Sequence, residues 1–275
     1  MTINLHLGDL FPDFQLPNHR NDIVQLSQFT KPSLLDENLG FLDGYPLILV
    51  FYRGFFCPRD QQQMRQFVQF QDELKVNYCQ LVCVSVESPI VQAAFRAGLG
   101  AQWTFLSDEK RDIIKQINIL DETEGEYAYC SQPYTFVLQP DLKIVKIYEG
   151  CFFIGRPTLE ELRLDLRAIM ESLSNYRYES YNTPEVRQVR IPQQEWAQGI
   201  PTLGANGLAV LQGIVSFFDS QTGNGIVTTD AGEQVFFNFT AIPGEGYRTI
   251  QSGTSVRFEA VQGKSSLTAR NIQQI

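Results

Sequence analysis

Histidine is almost missing from this chain: two residues in 275, His6 and His19, both near the start. No His/Cys group has metal-ligand spacing, so a zinc module is excluded and no metal is expected. Cysteine is sparse and odd in number, five in all, which excludes a disulfide scaffold. Three of the five sit inside apolar or strand-like runs, which fits a reducing, cytoplasmic setting. There is no run of about 18 apolar residues, so no membrane span is expected. The start, "MTINLHLGDLFPDF", lacks a basic segment ahead of an apolar one, so no secretory signal is expected. Basic charge is in deficit: 22 Lys and Arg face 31 Asp and Glu, for a net charge of −9. That does not favour a protein held on nucleic acid by bulk charge and leaves room for a local basic patch. A phosphate-cradling loop is missing as well. Gly223-Asn224-Gly225 falls between strands and is no dinucleotide fingerprint, and no cofactor is expected. No internal repeat is apparent.

What is present is enough apolar residue, 43%, to build a core, and a change of character along the chain. Residues 1–171 alternate β-rich runs with amphipathic ones. Strands are expected at 47–53, 80–86, 134–139 and 143–149. Helices are expected at 60–76, 89–98, 109–117 and 158–173, where apolar residues such as Met64, Phe67, Phe70 and Leu74 recur at helical spacing. Strand–helix alternation predicts a mainly parallel α/β sheet. The last strand pair turns through "QPDLK" and reads as an antiparallel hairpin. Residues 172–207 are polar and broken by Pro and Gly, as in a linker, yet they carry Tyr176, Tyr178, Tyr181 and Trp196. Residues 208–275 lose all helical periodicity. Short alternating strands at 209–218, 224–229, 233–239, 254–261 and 266–273, separated by turn residues, predict a small all-β barrel.

Cys57 stands at the junction of an apolar strand and a helix, in "VFYRGFFCPRD". The first amides of a helix are unpaired and the dipole is positive there, and both stabilise a thiolate. Arg53 and Arg59 add positive charge; Asp60 opposes it slightly. A purely structural reading stands beside this: a cap position, then Pro at the first helical residue, then an acid. Cysteine is a poor cap, which favours the reactive thiol.

The run "LGDLFPDFQLPNHRNDIVQLSQF", the segment "PLILVFYRGFFCP", then "LVCVSVESPIVQAAF" and "YTFVLQPDLKIVKIYEG" together resemble the peroxiredoxin and alkyl hydroperoxide reductase superfamily over residues 3–171. The resemblance implies a thioredoxin-like fold and peroxide reduction, with Cys57 oxidised to a sulfenic acid. It implies a peroxide substrate and a thiol reductant, either thioredoxin or a small thiol. Three departures from the family pattern stand out. Gly54 replaces the usual Thr or Ser three residues before the cysteine. The Arg usual before the "TFV" strand is missing, and Pro133 and Tyr134 occupy its region. Asp60 stands where some relatives have a second cysteine. Arg53 is the candidate substitute for the missing polarising groups. "PYTF" resembles the cis-proline segment of thioredoxin-like proteins, so Pro133 is expected to be cis and to face Cys57. Cys130 is the first candidate to resolve the sulfenic acid, ahead of Cys151. Cys83 is expected to be a small buried hydrophobe. His6, His19 and Arg156 are expected to be surface or loop residues.

Residues 213–275 resemble a bacterial cold-shock domain, which implies a five-stranded OB barrel. The family binds single-stranded RNA or DNA on exposed aromatics beside basic residues. The family's first motif, K-G-F-G-F-I, is here Thr222-Gly223-Asn224-Gly225-Ile226-Val227, without either aromatic. The second, V-F-V-H-F, is Val235-Phe236-Phe237-Asn238-Phe239. Phe217 takes the place of the tryptophan and Ser216 that of the lysine before it. Phe217, Phe218, Phe236, Phe239, Tyr247, Arg248 and Lys264 are therefore the candidate contacts. Each stacked base is worth about 1–3 kcal/mol, so the lost platforms weaken the expected binding. Four Lys/Arg against five Asp/Glu over 208–275 give net −1 and little counterion release. The competing readings are a thiol oxidoreductase with a tethering barrel, and a binding module for nucleic acid or protein whose redox domain is structural or sensory.

Overall fold

The computed structural model describes residues 3–123, 125, 128–150, 155–173, 184–188, 203–204, 207–220, 222–244, 248–263 and 266–275. By its contacts the chain divides into two units, Met1–Tyr148 with Leu159–Ile191, and Glu149–Thr158 with Pro192–Ile275. Most of the expected linker, 172–207, and also Cys151, Tyr247 and Lys264, lie outside the described residues.

The first unit opens with a hairpin, β1 (Gln15–Pro17) and β2 (Ile23–Gln25), and a short helix, α1 (Leu34–Asn38). Then follow β3 (Leu47–Phe51), α2 (Pro58–Val76), β4 (Gln80–Ser85), α3 (Pro89–Leu99), β5 (Thr104–Ser107) and α4 (Asp112–Gln116). β6 (Tyr134–Leu138), β7 (Ile144–Glu149) and α5 (Leu159–Ser172) complete it. The sheet order is β5-β4-β3-β6-β7. β3, β4 and β5 are parallel, whereas β6 runs antiparallel to β3. The sheet is therefore mixed rather than mainly parallel. The short turn at 139–143 then joins β6 to β7 as a hairpin, and Gln139 and Lys143 are joined through their backbones at 2.9 Å. The sequence reading missed β1, β2 and β5. Each has only three or four residues, too few for alternation to register.

β3 and β6 are buried along their whole length, which is why they read as unbroken apolar runs. Leu47, Leu49 and Phe51 belong to one core with Phe11, Phe14 and Phe136. Toward α2, the Cys83 thiol lies 3.6 Å from the Met64 sulfur, and the Phe67 and Trp103 rings meet edge-on at 6.2 Å. Burial pushes the Cys83 thiol well up, so it behaves as the small buried hydrophobe expected of it.

The C-terminal region of the second unit is a closed barrel in the order β10-β12-β11-β8-β9. Its strands are β8 (Ala209–Asp219), β9 (Asn224–Thr229), β10 (Gln234–Asn238), β11 (Ser255–Gln262) and β12 (Leu267–Gln274). Val215, Val227, Val235, Phe237, Val256 and Phe258 fill its interior. A register shift between Val215 and Phe217 interrupts the alternation, so Ser216 and Phe217 both face outward. A bulge does this by adding one unpaired residue to the strand.

Candidate functional site

The register of the mixed sheet brings three chain segments to one edge. Phe51, the last residue of β3, pairs with Val84 near the end of β4 and with Tyr134 at the start of β6. Arg53 and Cys57 follow the first, Glu87 follows the second, and Cys130 precedes the third. The carboxyl end of such strands is where α/β folds place their chemistry.

β3 does not run straight into Cys57, as the strand expected at 47–53 would. It stops at Phe51, and residues 52–56 turn before the helix. Gly54 sits at φ +149°, and its carbonyl accepts the Cys57 N–H at 3.1 Å. A Cβ at this position would lie 2.6 Å from the Phe56 ring and 2.9 Å from Glu87 Oε1. The space that a Thr or Ser would need is thus taken by a carboxylate. Glu87 Oε1 accepts the Phe55 N–H at 2.8 Å, and Oε2 accepts the hydroxyls of Tyr52 and Ser85, each at 3.2 Å. Burial raises the Glu87 carboxyl above its ordinary range, and the Phe55 N–H and the two hydroxyls pull it back.

Cys57 is the N-cap of α2, with Pro58 as the first helical residue and no side-chain cap bond. Its carbonyl accepts the Gln61 N–H at 3.0 Å, and the side chain is buried, at 7% exposure. Asp60, fully buried, accepts the Arg53 N–H at 2.8 Å. This bond ties the exit of β3 to the first turn of α2.

The Arg53 side chain joins the remaining groups. Its Nε donates to Cys130 Sγ at 3.4 Å and its Nη2 to Asp121 Oδ2 at 3.2 Å. Burial works against its charge, but the bond to Cys130 and the charges of Cys130, Asp121 and Cys57 together raise its pKa. The guanidinium therefore bonds the Cys130 sulfur directly. Cys130 is buried, at 3% exposure. Burial pushes its thiol up, and the hydrogen bond and charge of Arg53 pull it down. Asp121 is held in turn by the N–H and hydroxyl of Thr123, at 3.1 and 2.7 Å. Cys57, Cys79, Cys83 and Cys130 are free thiols.

One expectation is corrected. The peptide bond before Pro133 is trans. Pro133 is buried and leads directly into β6. Ser131 bridges Leu120 and the Gln132 N–H bonds to Ile119, so the segment enters the sheet extended. Proline favours an extended residue before it, and trans is its lower-energy isomer. His19 is tied to β5, its Nδ1 accepting the Phe105 N–H at 3.4 Å.

On the barrel, the register places Phe217 and Phe236 on either side of Ile226 on the outer face. Phe217 is 52% exposed and Phe236 44%. Phe218 pairs across Gly225 with Phe237, stacks on that buried ring at 5.7 Å, and is partly buried against the barrel core. Gly225 permits the stack, because a Cβ there would lie 2.3 Å from the Phe237 ring. Phe239 is half-buried, with the Arg248 guanidinium 5.0 Å from its ring centre. Asn238, where the family has histidine, bonds Asn224 Oδ1 and the Thr240 N–H.

Sequence reasoning missed Asp121 and Glu87. Glu87 carried a usable signal, an acid just beyond the carboxyl end of a buried strand. Asp121 carried none, being a loop acid among several.

Two family profiles match this chain. The profile of the AhpC/TSA family matches residues 7–147, and that of the 'Cold-shock' DNA-binding domain matches residues 211–275. Cold shock protein CspB of Bacillus caldolyticus is 39% identical over 64 residues, 23% of this chain and 97% of that protein. Cold shock-like protein CspLB of Listeria monocytogenes is 38% identical over 63 residues, 23% of this chain and 96% of that protein. Among solved structures, Enterococcus faecalis AhpC superposes with a TM-score of 0.50 at 18% identity, covering 62% of this chain and 95% of its own. A Xylella fastidiosa PrxQ superposes with the same score and identity, covering 60% and 97%. At that identity the superpositions establish the fold: the N-terminal unit has the thioredoxin fold of these proteins.

Proposed function

The chain belongs to the AhpC/TSA family and carries a cold-shock domain at 211–275, and on that premise we propose that it is a thiol-dependent peroxide reductase whose barrel binds single-stranded nucleic acid. The Cys57 thiolate attacks a peroxide oxygen. The S–O bond forms, the O–O bond breaks, and the alkoxide or hydroxide leaves with a proton from water. The Cys130 thiol then attacks the Cys57 sulfenic acid; the S–S bond forms and water leaves. A thiol reductant, thioredoxin or a small thiol, supplies two electrons and two protons to restore both thiols. Arg53 acts electrostatically, favouring the Cys57 thiolate and the negative charge that develops on the peroxide.

The observation that supports this reading is the buried Arg53 guanidinium, 3.4 Å from Cys130 Sγ and four residues before Cys57 in the chain. In a site without the family's Thr and second Arg, it offers the positive charge that thiolate chemistry needs. The setting proposed is a reducing cytoplasm. The test is hydrogen peroxide consumption by the pre-reduced protein under excess dithiothreitol. Many turnovers are expected for the wild type and none for Cys57→Ser. Consumption no faster than that of free cysteine contradicts the reading.

A second reading has support of its own. Gly54 stands where the family has a hydroxyl residue three before the cysteine, while Phe217 and Phe236 stand open on the barrel. A binding module with a structural or redox-sensing thioredoxin domain would show oligonucleotide binding without turnover.

A further inference from the structure

The barrel's contacts are uneven around its circumference. β8–β9 and β9–β10 pair over most of their lengths. β10 and β12 share one register pair, Phe236 with Thr268. Beyond that pair the strands part and leave a cleft of about 330 Å³. Its floor is Phe237, Ala241 and Ala269, all buried. Its rim carries Phe236 and Arg270. This volume is at the low end for small-molecule sites, which run from about 300 to 1,000 Å³. It suits a single nucleobase rather than a large ligand.

Charge on the barrel is displaced in the same direction. The β8–β9 face has Ser216 and Thr222 where the family has lysines. The described basic residues of the barrel are Arg248, Arg257 and Arg270. Arg248 lies on Phe239, which directly follows β10, and Arg270 lies on the cleft. Arg270 projects from β12 into solvent, beside an aromatic ring that is 44% exposed. An open ring, a cleft with an apolar floor edged by Thr240, Thr268 and Asn271, and a guanidinium together are the chemistry of a base stacked on one side and a phosphate held on the other.

We propose that the cleft between β10 and β12 is a nucleotide subsite for a single strand, with Phe236 as its stacking platform and Arg270 as its phosphate contact. The path of the strand is thereby shifted from β8–β9 toward β10–β12, and an arginine on β12 takes over charge that the first motif has lost. The proposal rests on the reading of the barrel as a single-strand binder.

The test is fluorescence anisotropy of labelled oligothymidylate and oligouridylate with the full reduced chain, across a salt series. Arg270→Gln is compared with Phe236→Ala, Phe217→Ala and wild type, with circular dichroism verifying that each variant is folded. Arg270→Gln is expected to weaken binding about tenfold at low salt, and to reduce the magnitude of the log–log salt slope by about 0.7. Phe236→Ala is expected to weaken binding at least as much as Phe217→Ala, by about tenfold or more. Tighter binding of either oligonucleotide, with Arg270→Gln weakening it, names the strand as RNA or DNA and supports the subsite. Binding unchanged by Arg270→Gln but abolished by Phe217→Ala overturns it and keeps the strand on β8–β9. No binding of either oligonucleotide by wild type at low salt defeats the reading of the barrel itself, and the subsite with it.

Discussion

The two regions have both departed from their families, and they have absorbed the change in opposite ways. At the Cys57 site the substitutions are internal and interlocked. Gly54 leaves room that Glu87 Oε1 fills, at 2.9 Å from where a Cβ would stand. Arg53, Asp121 and Cys130 form one buried chain of contacts. On the barrel the substitutions are on the surface and independent of one another. Ile226 sits between two open rings, and the Ser216 hydroxyl bonds that of Thr228 at 2.7 Å and the Ile226 carbonyl at 3.3 Å. A buried polar network tolerates change only as a set, because each unpaired member costs its full desolvation. A surface platform can lose members one by one and weaken gradually.

The largest expected effect follows from that contrast. Arg53→Met removes one member of the buried pair and leaves Asp121 without its cation, which costs about 3–5 kcal/mol. Urea unfolding followed by tryptophan fluorescence should register it. Arg53→Lys should recover part of the loss, because an ammonium cannot hold Cys130 and Asp121 in the planar geometry of the fork. A loss below about 1 kcal/mol for Arg53→Met would place the pair with ordinary surface salt bridges and dissolve the contrast.

On the barrel, adjacent phenylalanines should separate cleanly. Phe218→Ala loses the stack on Phe237 and should destabilise the barrel by about 2 kcal/mol, read by amide hydrogen exchange of β8 and β9. Phe217→Ala should leave that exchange nearly unchanged and act on oligonucleotide binding alone. Equal destabilisation by both would mean that Phe217 is also a packing residue.

Gly54→Ala places a Cβ against Glu87 and Phe56 at a φ that side chains rarely adopt. A cost of about 1–3 kcal/mol is expected, with slower peroxide reaction as the 52–57 turn shifts. An unchanged reaction rate would show that this turn does not position Cys57.

The smallest effect is a pH slope. Burial holds the Glu87 carboxyl above the ordinary value of 4.5. The folded chain therefore holds this proton more tightly than the unfolded chain does. The stability that this group contributes is greatest below pH 4.5 and declines as pH rises through the folded pKa. Glu87→Gln should flatten that decline in urea midpoints measured from below 4.5 upward. A decline that stays parallel to wild type would assign it to other acids.

Much of this was legible in the sequence, for physical reasons that differ between regions. The barrel strands were found nearly to the residue, because two-residue alternation and turn residues recur five times. β3 and β6 were found because they are buried on both faces and read as continuous apolar runs. The outward turn of Phe217 and the inward turn of Phe218 were not legible. A bulge sets that choice, and adjacent phenylalanines give no sign of it. Cys57, Arg53 and Cys130 were each singled out, but the ion pair that holds the Arg53 guanidinium beside Cys130 is made with Asp121, 68 residues from Arg53. Only sheet order brings such residues together. Arg270 escaped notice because a lone arginine on an alternating strand reads as a solvated face until the gap beside β10 is seen.

The most direct test of the central claim is intact-mass spectrometry of the reduced protein after one equivalent of hydrogen peroxide, with Cys57→Ser and Cys130→Ser in parallel. The account predicts that wild type rapidly loses two hydrogens as a Cys57–Cys130 disulfide. Cys130→Ser should stop at a gain of one oxygen on Cys57, and Cys57→Ser should not react. A wild type that gains oxygen no faster than free cysteine would contradict it, leaving Cys57 as the first residue of a helix and the barrel as the seat of function.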